Sequence, residues 1–590
     1  MPRQSLKEHA GPIALALVIG MLAGLGAVLF RWAIHQGQEL LWPMAATFTD
    51  QVRRAPGWWV MLAPAGIGLL LGPLLCRYAP EVRGPGVPEV MEALALRGGR
   101  IRHRVTLFKS LATAGFIAAG ASVGREGPIV QIGASIGSSL TQLLGLRREN
   151  RRLAVACGAA AGIAATFQAP MAGALFAVEI LLADLEIKSL STIFIASVTG
   201  TVTARSLLGQ TVVFTAPAFP QAHPAEFLLY ALLGLLAGLA GLLLMWSIFR
   251  LPKLWKRLGL PDWLTPAAGG LLVGGLGLAV PDCLGVGYEG INTALAGQIP
   301  LTLAAILLTA KLAATGLCIG SGMSGGIFAP SLFLGAMLGS LMAQAAGVVW
   351  PTAGLVPAHY ALIGMGAMVS GTTLAPITAV LTIFELTYSY QVIVPLLVAC
   401  IVSLLTVRIL HGYSIYETKL LHKGLDIVKG HEVNVLRGMR VGDHMDRNPQ
   451  LLAAATPCPE IMARMEESPF PHFIVVDEQR RLAGVLTLRD FRHILAHPDR
   501  CRPETMAVDL MRTKVITVSE ENDLAEAFHR FAAHEFASLP VVAVGDPTRV
   551  VGQLKKSDML AAYEQFVFKE HILSPLGWVC PLPGTRQDRR

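Results

Sequence analysis

A single carboxylate stands inside an apolar, glycine-rich stretch, in the segment Gly-Arg-Glu-Gly-Pro at residues 124–128. A charged side chain at the centre of a membrane helix costs about 2.5–3.5 kcal/mol on insertion scales, so Glu126 needs a functional or structural reason. Glycines let the backbone approach a ligand closely, and proline favours the first turn of a helix. The segment therefore predicts a loop that opens a helix inside apolar surroundings.

Backbone groups at such a helix start could bind an anion, because the first N–H groups have no intrahelical acceptor and lie at the positive end of the helix dipole. The segments 326–330 and 84–88 predict the same arrangement. We expect the ionised carboxylate of Glu126 to occupy the place of the anion and to leave when it is protonated. Glu126 would then be both a gate and a proton carrier. The alternative is a structural carboxylate paired with Arg125 or with a lysine.

The composition requires that these elements lie in a membrane. The chain has 590 residues, of which 53% are hydrophobic and 15% are charged, and a mean hydropathy of +0.55. Soluble domains carry about 25% charged residues. A spanning helix needs about 20 apolar residues. Such runs are predicted at 12–30, at 58–75, at 227–249, from Leu301 past Lys311, and at 392–407.

The charge and the cysteines exclude other classes. The net charge is +8 and the pI about 9.1, but the basic residues cluster in short loops at 97–104 and 147–152, which is typical of cytoplasmic membrane loops and not of a nucleic-acid module. The eight cysteines have no spacing typical of a metal site or a disulfide framework. Arg3 and Lys7 precede the first apolar run without a cleavage site, so we expect a retained first helix and no removed signal peptide.

Two internal repeats organise the chain. In the apolar part, one set of residues recurs 202 positions later and a second set recurs 206 positions later, which predicts a repeat-built transporter with its substrate site at the ends of discontinuous helices. The pairs are Lys109 and Lys311, Gly124 and Gly326, Pro128 and Pro330, Pro170 and Pro376, and Glu179 and Glu385.

A charged, strand-containing region follows the apolar part and repeats at an interval of 66–68 residues, as in the strand-like runs at 473–476 and 539–542. The predicted architecture is an all-α polytopic membrane protein followed by a soluble α/β tandem. We expect the membrane domain at 1–420, a linker at 421–438, two α/β repeats at 439–499 and 505–567, and a tail at 568–590.

Five motifs in order resemble the CLC family of voltage-gated chloride channels and chloride/proton exchangers. They are Gly-Pro-Gly-Val-Pro at 84–88, Gly-Arg-Glu-Gly-Pro at 124–128, Gly-Val-Gly-Tyr-Glu-Gly at 285–290, Gly-Ile-Phe-Ala-Pro at 326–330 and Ser-Ile-Tyr at 414–416. Each is weak alone, but together they are specific. The resemblance implies an inverted-repeat, all-α homodimer with one pore in each subunit.

The resemblance also implies roles for single residues. Glu126 matches the external gating glutamate. The amides of Ile327 and Phe328, with the hydroxyl of Tyr416, match the central anion site. The amides around Arg125 and Gly127 match the outer anion site.

Two positions depart from the chloride-transporting pattern. Pro85 stands where chloride-selective members have serine, and proline offers neither an N–H nor a hydroxyl. Plant nitrate/proton exchangers of the family also have proline there, which favours tolerance of, or preference for, nitrate. The alternative is that the loop merely accommodates Pro85. Ile180 follows Glu179 at the position where exchangers often carry an inner proton-relay glutamate, and isoleucine cannot carry a proton. This departure favours weak or absent proton coupling.

The soluble repeat resembles a pair of cystathionine-β-synthase-type (CBS) domains, which often bind adenine nucleotides. Thr487 and Asp490 fit the signature, in which the aspartate contacts ribose. The second copy keeps Asp558 but has Lys555 in place of the hydroxyl residue. A tail used only for dimerisation and stability is an equal alternative.

The function predicted is transport of chloride, or of nitrate, by a CLC-type channel with little proton coupling. A coupled anion/proton antiporter is the main alternative, and a CBS-regulated cation transporter a remote one. A membrane enzyme is disfavoured, since no hydrolase or metalloprotease motif occurs. We expect no required cofactor, no metal and no nucleic-acid partner. A homodimer in a bacterial inner membrane with a cytoplasmic tail is expected.

Overall fold

The computed structural model describes residues 2–182, 187–210, 214, 224–425, 436, 439–468, 472–496, 501–534 and 537–568. The chain divides into two compact units, Met1–Leu425 and Asp426–Arg590. Of the predicted linker 421–438, only residues 421–425 and 436 are described, and of the predicted tail only Phe568.

The secondary-structure elements in the described part of the first unit are all helices, joined by loops. Short 3-10 turns follow α3, α11, α14 and α16, and a π-helical segment, Ala177–Leu182, follows α8. The helices are α1 Pro2–Leu41, α2 Phe48–Arg54, α3 Gly57–Tyr78, α4 Val87–Leu96, α5 Arg104–Ala118, α6 Glu126–Leu143, α7 Arg148–Phe167, α8 Pro170–Phe176, α9 Ile187–Leu208, α10 Glu226–Arg257, α11 Thr265–Ala279, α12 Tyr288–Leu295, α13 Leu301–Gly320, α14 Phe328–Val349, α15 Pro357–Thr373, α16 Pro376–Thr387, α17 Ile393–Leu410 and α18 Ile415–His422.

Among the described residues, six helical segments are long and apolar enough to cross a membrane: Gly11–Leu41, Gly57–Tyr78, Glu226–Arg257, Leu301–Gly320, Phe328–Val349 and Tyr390–His422. The five runs predicted from the sequence lie within five of these segments. Large apolar side chains such as Leu228 and Trp246 on α10 are more than half exposed, as expected for a surface that faces lipid. The membrane assignment is therefore confirmed.

Helices of the two halves pack in the same way. A Cβ built on Gly133 would lie 2.1 Å from the carbonyl oxygen of Gly158, so α6 and α7 approach at glycine. A Cβ on Gly335 would lie 2.2 Å from the carbonyl oxygen of Gly364, where α14 and α15 approach. Small residues allow such close backbone contact between membrane helices. The glycine richness of the sequence thus has a packing reason in both repeats.

The second unit contains two three-stranded sheets of the same topology. In each, the first strand is parallel to the second, and the second is antiparallel to the third. The elements are α19 Val441–His444, β1 Leu451–Ala453, α20 Cys458–Glu467, β2 His472–Val476, β3 Leu482–Thr487, α21 Leu488–Ala496, α22 Ala507–Leu510, β4 Val518–Ser519, α23 Leu524–His534, β5 Ser538–Ala543, β6 Asp546–Lys555 and α24 Lys556–Phe568.

The two α/β repeats exchange short segments. The segment before the first sheet bridges to the second sheet through Asp446 and Gln553, and the segment before the second sheet bridges to the first through Val485 and Arg512. Each bridge carries a pair of backbone hydrogen bonds of 2.8–3.1 Å. The fold class predicted from the sequence, a helical membrane part followed by a small α/β tandem, is confirmed.

One expectation about the cysteines is wrong. Cys458 and Cys501 form a disulfide, with Cα atoms 5.4 Å apart and 43 residues apart in sequence. The Cys458 N–H donates to the carbonyl oxygen of Thr505 at 2.8 Å, and this contact brings the two cysteines together. Because the contact is tertiary, cysteine spacing alone could not reveal the bond.

Candidate anion site

The two glycine-rich loops that open α6 and α14 pair with each other. The Gly124 N–H donates to the carbonyl oxygen of Gly326 at 2.7 Å, and the Gly326 N–H donates back to Gly124 at 2.6 Å. Arg125 occupies the N-cap position of α6, and Ile327 occupies the N-cap position of α14. Repeat-related positions therefore meet, and helix starts from both halves converge at one place, as the sequence predicted.

Glu126 lies at this meeting point with only 1% of its surface exposed. Its Oε2 accepts the Ala329 N–H, in the first turn of α14, at 3.3 Å. Its Oε1 accepts the hydroxyl of Tyr288, at the start of α12. A carboxylate from one half thus lies where the other half presents its free helix amides. A Cβ on Gly124 would lie 2.3 Å from Glu126 Oε2, so a side chain there would displace the carboxylate from this place.

Arg125 does not pair with Glu126 among the described residues. Its guanidinium carbon lies over the ring of Tyr288, 5.0 Å from the centroid. Its buried Nε has no hydrogen-bond partner within the described structure. The geometry therefore does not support the alternative of an ion pair between Glu126 and Arg125.

The other predicted site residues surround the same place. Tyr416, in the first turn of α18, is 1% exposed and lies within electrostatic range of Glu126. The Ser414 side chain and Glu417 cap α18 reciprocally. The ring of Phe328, itself buried, packs on Phe167 with centroids 5.6 Å apart.

Pro85 adjoins Gly127, and Gly127 has no room for a side chain beside it. A Cβ on Gly127 would lie 2.3 Å from the carbonyl oxygen of Pro85. The loop at 84–88 therefore contributes backbone to the meeting point, and α4 begins directly after Gly86, whose φ is +91°.

Two buried lysines hold the loops of the two halves. Lys109 Nζ donates to the carbonyl oxygens of Val82 and Gly84, both at 2.8 Å. Lys311 Nζ donates to those of Cys283 at 3.1 Å and Gly285 at 2.8 Å. Both ammonium groups are removed from solvent. The lysines fix the loops that precede α4 and α12 without entering the anion site.

A basic cavity of about 510 Å³ opens beside α4 and α18. The ion pair between Lys419 Nζ and Glu89, at 2.6 Å, ties α18 to α4 there. Six basic side chains against three acidic ones would attract anions toward the helix that carries Tyr416. The charged lining residues are Glu81, Arg83, Glu89, Glu92, Arg97, Arg100, Arg102, Lys419 and Lys423.

Glu179 caps a helix of the opposite repeat. Its carboxylate accepts the N–H groups of Ile377 at 3.2 Å and Thr378 at 2.7 Å, and the Thr378 hydroxyl at 2.7 Å. Glu385 returns the contact by accepting the amides of Met171 at 3.0 Å and Ala172 at 2.7 Å. Ile180 is buried beside Glu179 in the π-helical segment.

Sequence reasoning missed some residues of this region. In the sequence, Tyr288 stands out only as part of the loop motif at 285–290, although it contacts Glu126 directly. Lys109 and Lys311 stand out only by their repeat spacing. Their signal was charge inside an apolar run at a constant offset, which indicates a buried group with fixed partners.

Comparisons with known proteins agree with this geometry. The family model described as "Voltage gated chloride channel" matches residues 67–408, more than half of the chain, and the CBS domain model matches 441–497 and 507–565. The chain belongs to the CLC family. It is therefore an anion transport protein and not an enzyme, which sets aside the enzyme and cation-transporter alternatives.

Individual CLC relatives are similar over most of their length. A "Putative chloride channel protein ClcB-like" of Ralstonia nicotianae is 38% identical, over 69% of this chain and 96% of the relative. An "H(+)/Cl(-) exchange transporter ClcA" of Klebsiella pneumoniae is 32% identical, over 71% of this chain and 90% of the relative.

Solved CLC structures are similar too. A "slow cyanobacterial Cl-/H+ antiporter" is 28% identical with a TM-score of 0.63, covering 71% of this chain and 99% of that one. A "eukaryotic CLC transporter" is 22% identical with a TM-score of 0.62, covering 93% and 97%, and shows likeness of fold alone.

The predicted nucleotide residues lie in the CBS region of this CLC protein. Asp490 accepts the N–H and hydroxyl of Thr487, at 3.0 and 2.7 Å, and forms an ion pair with Arg512 at 2.8 Å. In the second copy, Lys555 pairs with Asp446 at 3.2 Å instead. Asp558 lies at the start of α24. Among the described residues, no cluster of histidine, cysteine and acidic side chains could hold a metal ion.

Proposed function

We propose that this CLC protein conducts chloride through a pathway gated by Glu126, with proton coupling weak or absent. The observation that carries the proposal is the acceptance of the Ala329 N–H by the buried Glu126 carboxylate. The carboxylate there uses a donor at a helix N-terminus, which is a place that favours an anion. Protonation would weaken that interaction and free the Ala329 N–H, which follows the amides of Ile327 and Phe328 at the start of α14, for chloride, with Tyr416 nearby.

Two observations support weak coupling. Ile180 cannot bind a proton, and the adjacent Glu179 carboxylate already accepts three hydrogen bonds from α16. Coupled antiport remains the second candidate, and it is favoured by the printed names of the relative from Klebsiella pneumoniae and of the cyanobacterial antiporter. A different acid or a water chain would have to replace the relay.

The test records anion and proton movement together in proteoliposomes loaded with chloride. We expect chloride efflux that is activated by low pH and is not matched by proton uptake. Glu126→Gln should keep the efflux and lose its pH dependence. Glu39→Gln, an exposed glutamate on α1, is the matched control. Proton uptake in fixed proportion to chloride, abolished in Glu126→Gln, would instead establish the antiporter.

Pro85 supports nitrate as a second transported ion. A proline beside Gly127 can donate neither an N–H nor a hydroxyl to the anion. An anion that depends less on those donors therefore loses less binding affinity when they are absent. We expect nitrate flux at least equal to chloride flux, and we expect Pro85→Ser to raise the chloride-to-nitrate flux ratio. A ratio that favours chloride in the unaltered protein and stays constant in the variant would contradict this.

The CBS region would bind an adenine nucleotide at Asp490. Thr487 and Arg512 orient its carboxylate, which retains lone pairs for ribose hydroxyls. We expect ATP to be bound by the full chain and Asp490→Asn to weaken that binding, with Asp558→Asn as the comparison for the second copy. Equal binding by both variants and the unaltered protein would favour a purely structural tail.

The assembly proposed is a homodimer in a bacterial inner membrane, with the CBS region in the cytoplasm. Bacterial relatives and basic short loops support this location. Mass measurement of the detergent-solubilised protein tests the dimer, and protease access in oriented vesicles tests the side of the tail.

A further inference from the structure

Tyr288, at the start of α12, contacts the proposed gate Glu126, which belongs to α6. Its hydroxyl donates to Glu126 Oε1, while the Ala329 N–H donates to Oε2. Within the described part of the chain, each carboxylate oxygen therefore has a donor from another element, α12 for Oε1 and α14 for Oε2. We propose that Tyr288 is a latch, a positioning residue that holds the ionised Glu126 carboxylate in the closed place at the start of α14.

Two side chains contact the ring of Tyr288. The Arg125 guanidinium lies 5.0 Å from its centroid, and Phe214 packs edge-on at 5.3 Å. Cation–π and edge-to-face contacts of this kind favour one ring orientation. The hydroxyl is thereby aimed at Glu126 before any ion arrives.

The loop that presents Tyr288 is equally constrained. Gly287 caps α12 with φ +91°, a backbone conformation that side chains other than glycine rarely adopt. A Cβ there would also lie 2.7 Å from the ring of Phe333. Lys311 holds the preceding turn through the carbonyl oxygens of Cys283 and Gly285. The backbone that carries Tyr288 is therefore held in place by Gly287 and by the contacts of Lys311.

The first half of the molecule lacks the latch. Counted from the loop glycines 84 and 285, the repeat counterpart of Tyr288 is Val87 at the start of α4. Valine has no hydroxyl, so the equivalent place in the first half cannot hold a carboxylate in this way. The hydroxyl occurs at the start of α12, where it donates to Glu126.

The chemistry makes the latch sensitive to protonation. A hydrogen bond to an ionised carboxylate is roughly twice as strong as one between neutral groups. A protonated Glu126 has lost that advantage and would be released. Among the described residues, the other charged or titratable groups around the pair are Arg125, Tyr416 and Arg31 of α1, which lies within electrostatic range of both Arg125 and Tyr288.

The experiment rests on the gating proposed above and measures chloride efflux against pH for four proteins. They are the unaltered chain, Tyr288→Phe, Glu126→Gln and the double variant. Tyr288→Phe keeps the ring and removes only the hydroxyl. We expect it to move the pH of half-maximal efflux upward by one unit or more and to raise efflux at pH 7 several-fold. In the Glu126→Gln background, the same substitution should change efflux by less than twofold.

Tyr230→Phe is the matched control, because that buried hydroxyl also donates to a glutamate, Glu226, at 2.8 Å but does not touch the gate. It should leave the pH profile unchanged. An unshifted profile in Tyr288→Phe, or an equal rise in the Glu126→Gln background, would overturn the latch while leaving the gate intact. A Glu126→Gln variant that keeps the original pH profile would overturn both proposals.

A second variant covers the case in which Tyr288→Phe assembles poorly. Tyr288→Leu removes the hydroxyl together with the ring face that Arg125 contacts. It should shift the profile at least as far as the phenylalanine variant. A profile in the leucine variant that matches the unaltered chain would count against the latch.

Discussion

Several buried polar side chains in this protein are stabilised by partners from other elements, and His472 in the CBS region is an example outside the membrane. Its Nδ1 lies 2.8 Å from the hydroxyl of Ser538, the equivalent position in the second repeat. Its carbonyl oxygen accepts the amide of Gln553 at 3.2 Å. Burial lowers the pKa of His472 to about 4. The neutral ring therefore joins the two repeats.

The stability of the CBS region should consequently depend on pH. The unfolded ring has a pKa near 6.5, so between about pH 6.5 and pH 4 the unfolded state binds more protons than the folded state. The free energy of unfolding should fall as pH decreases through this window, by up to roughly 3 kcal/mol, and then level off. Hydrogen exchange of the β2 and β5 amides in the full chain, corrected for intrinsic rates, measures it.

His472→Asn provides the control for that prediction. Asparagine keeps a neutral polar group but does not titrate, so its pH dependence over the same window should be smaller. Equal slopes in the two proteins would show that other groups carry the effect.

At the scale of elements, one lysine in each half fixes a loop that opens a helix. Lys311 satisfies two carbonyl oxygens next to the start of α12, as Lys109 does next to α4. Removing the ammonium would leave both acceptors buried without a donor. An orphaned buried polar group costs about 1–3 kcal/mol.

Lys311→Met should therefore lower the thermal unfolding midpoint of the detergent-solubilised protein by several degrees. Lys253→Met, at an exposed position on α10, should leave it within error. The loss should be similar in Lys109→Met, since the two contacts are equivalent. An unchanged midpoint in both buried variants would mean that water replaces the ammonium groups.

At the scale of the whole molecule, the two repeats cap each other's helices. Glu179, after α8, accepts amides at the start of α16, and Glu385, on α16, accepts amides at the start of α8. Helix starts in apolar surroundings have no water to satisfy their N–H groups. The reciprocal caps therefore hold the halves together.

Glu179→Leu and Glu385→Leu should each destabilise the protein by roughly 1–3 kcal/mol, because each leaves helix amides unsatisfied. The thermal unfolding midpoint in detergent measures the loss, and Glu39→Leu serves as an exposed control. The double variant should unfold at a lower temperature than either single one. Unchanged midpoints in both single variants would contradict the capping role.

The sequence by itself determined the membrane class, the internal repeat and the helix starts at Glu126 and Phe328. These features follow from local properties: apolar length, repeat spacing, and the backbone preferences of glycine and proline. The Pro85 and Ile180 departures were also visible there, and their consequences for selectivity and coupling stay predictions, as do the roles of Tyr416 and Asp490.

Only the tertiary structure decided which of these elements meet. Tyr288 lies 162 residues from Glu126 in the chain, and Cys458 lies 43 residues from Cys501. No local pattern marks a hydroxyl as the partner of a distant carboxylate, or one cysteine among eight as the partner of another. Such pairs form because packing brings separate elements together, and a buried polar group is then stabilised by whichever donor the fold places beside it.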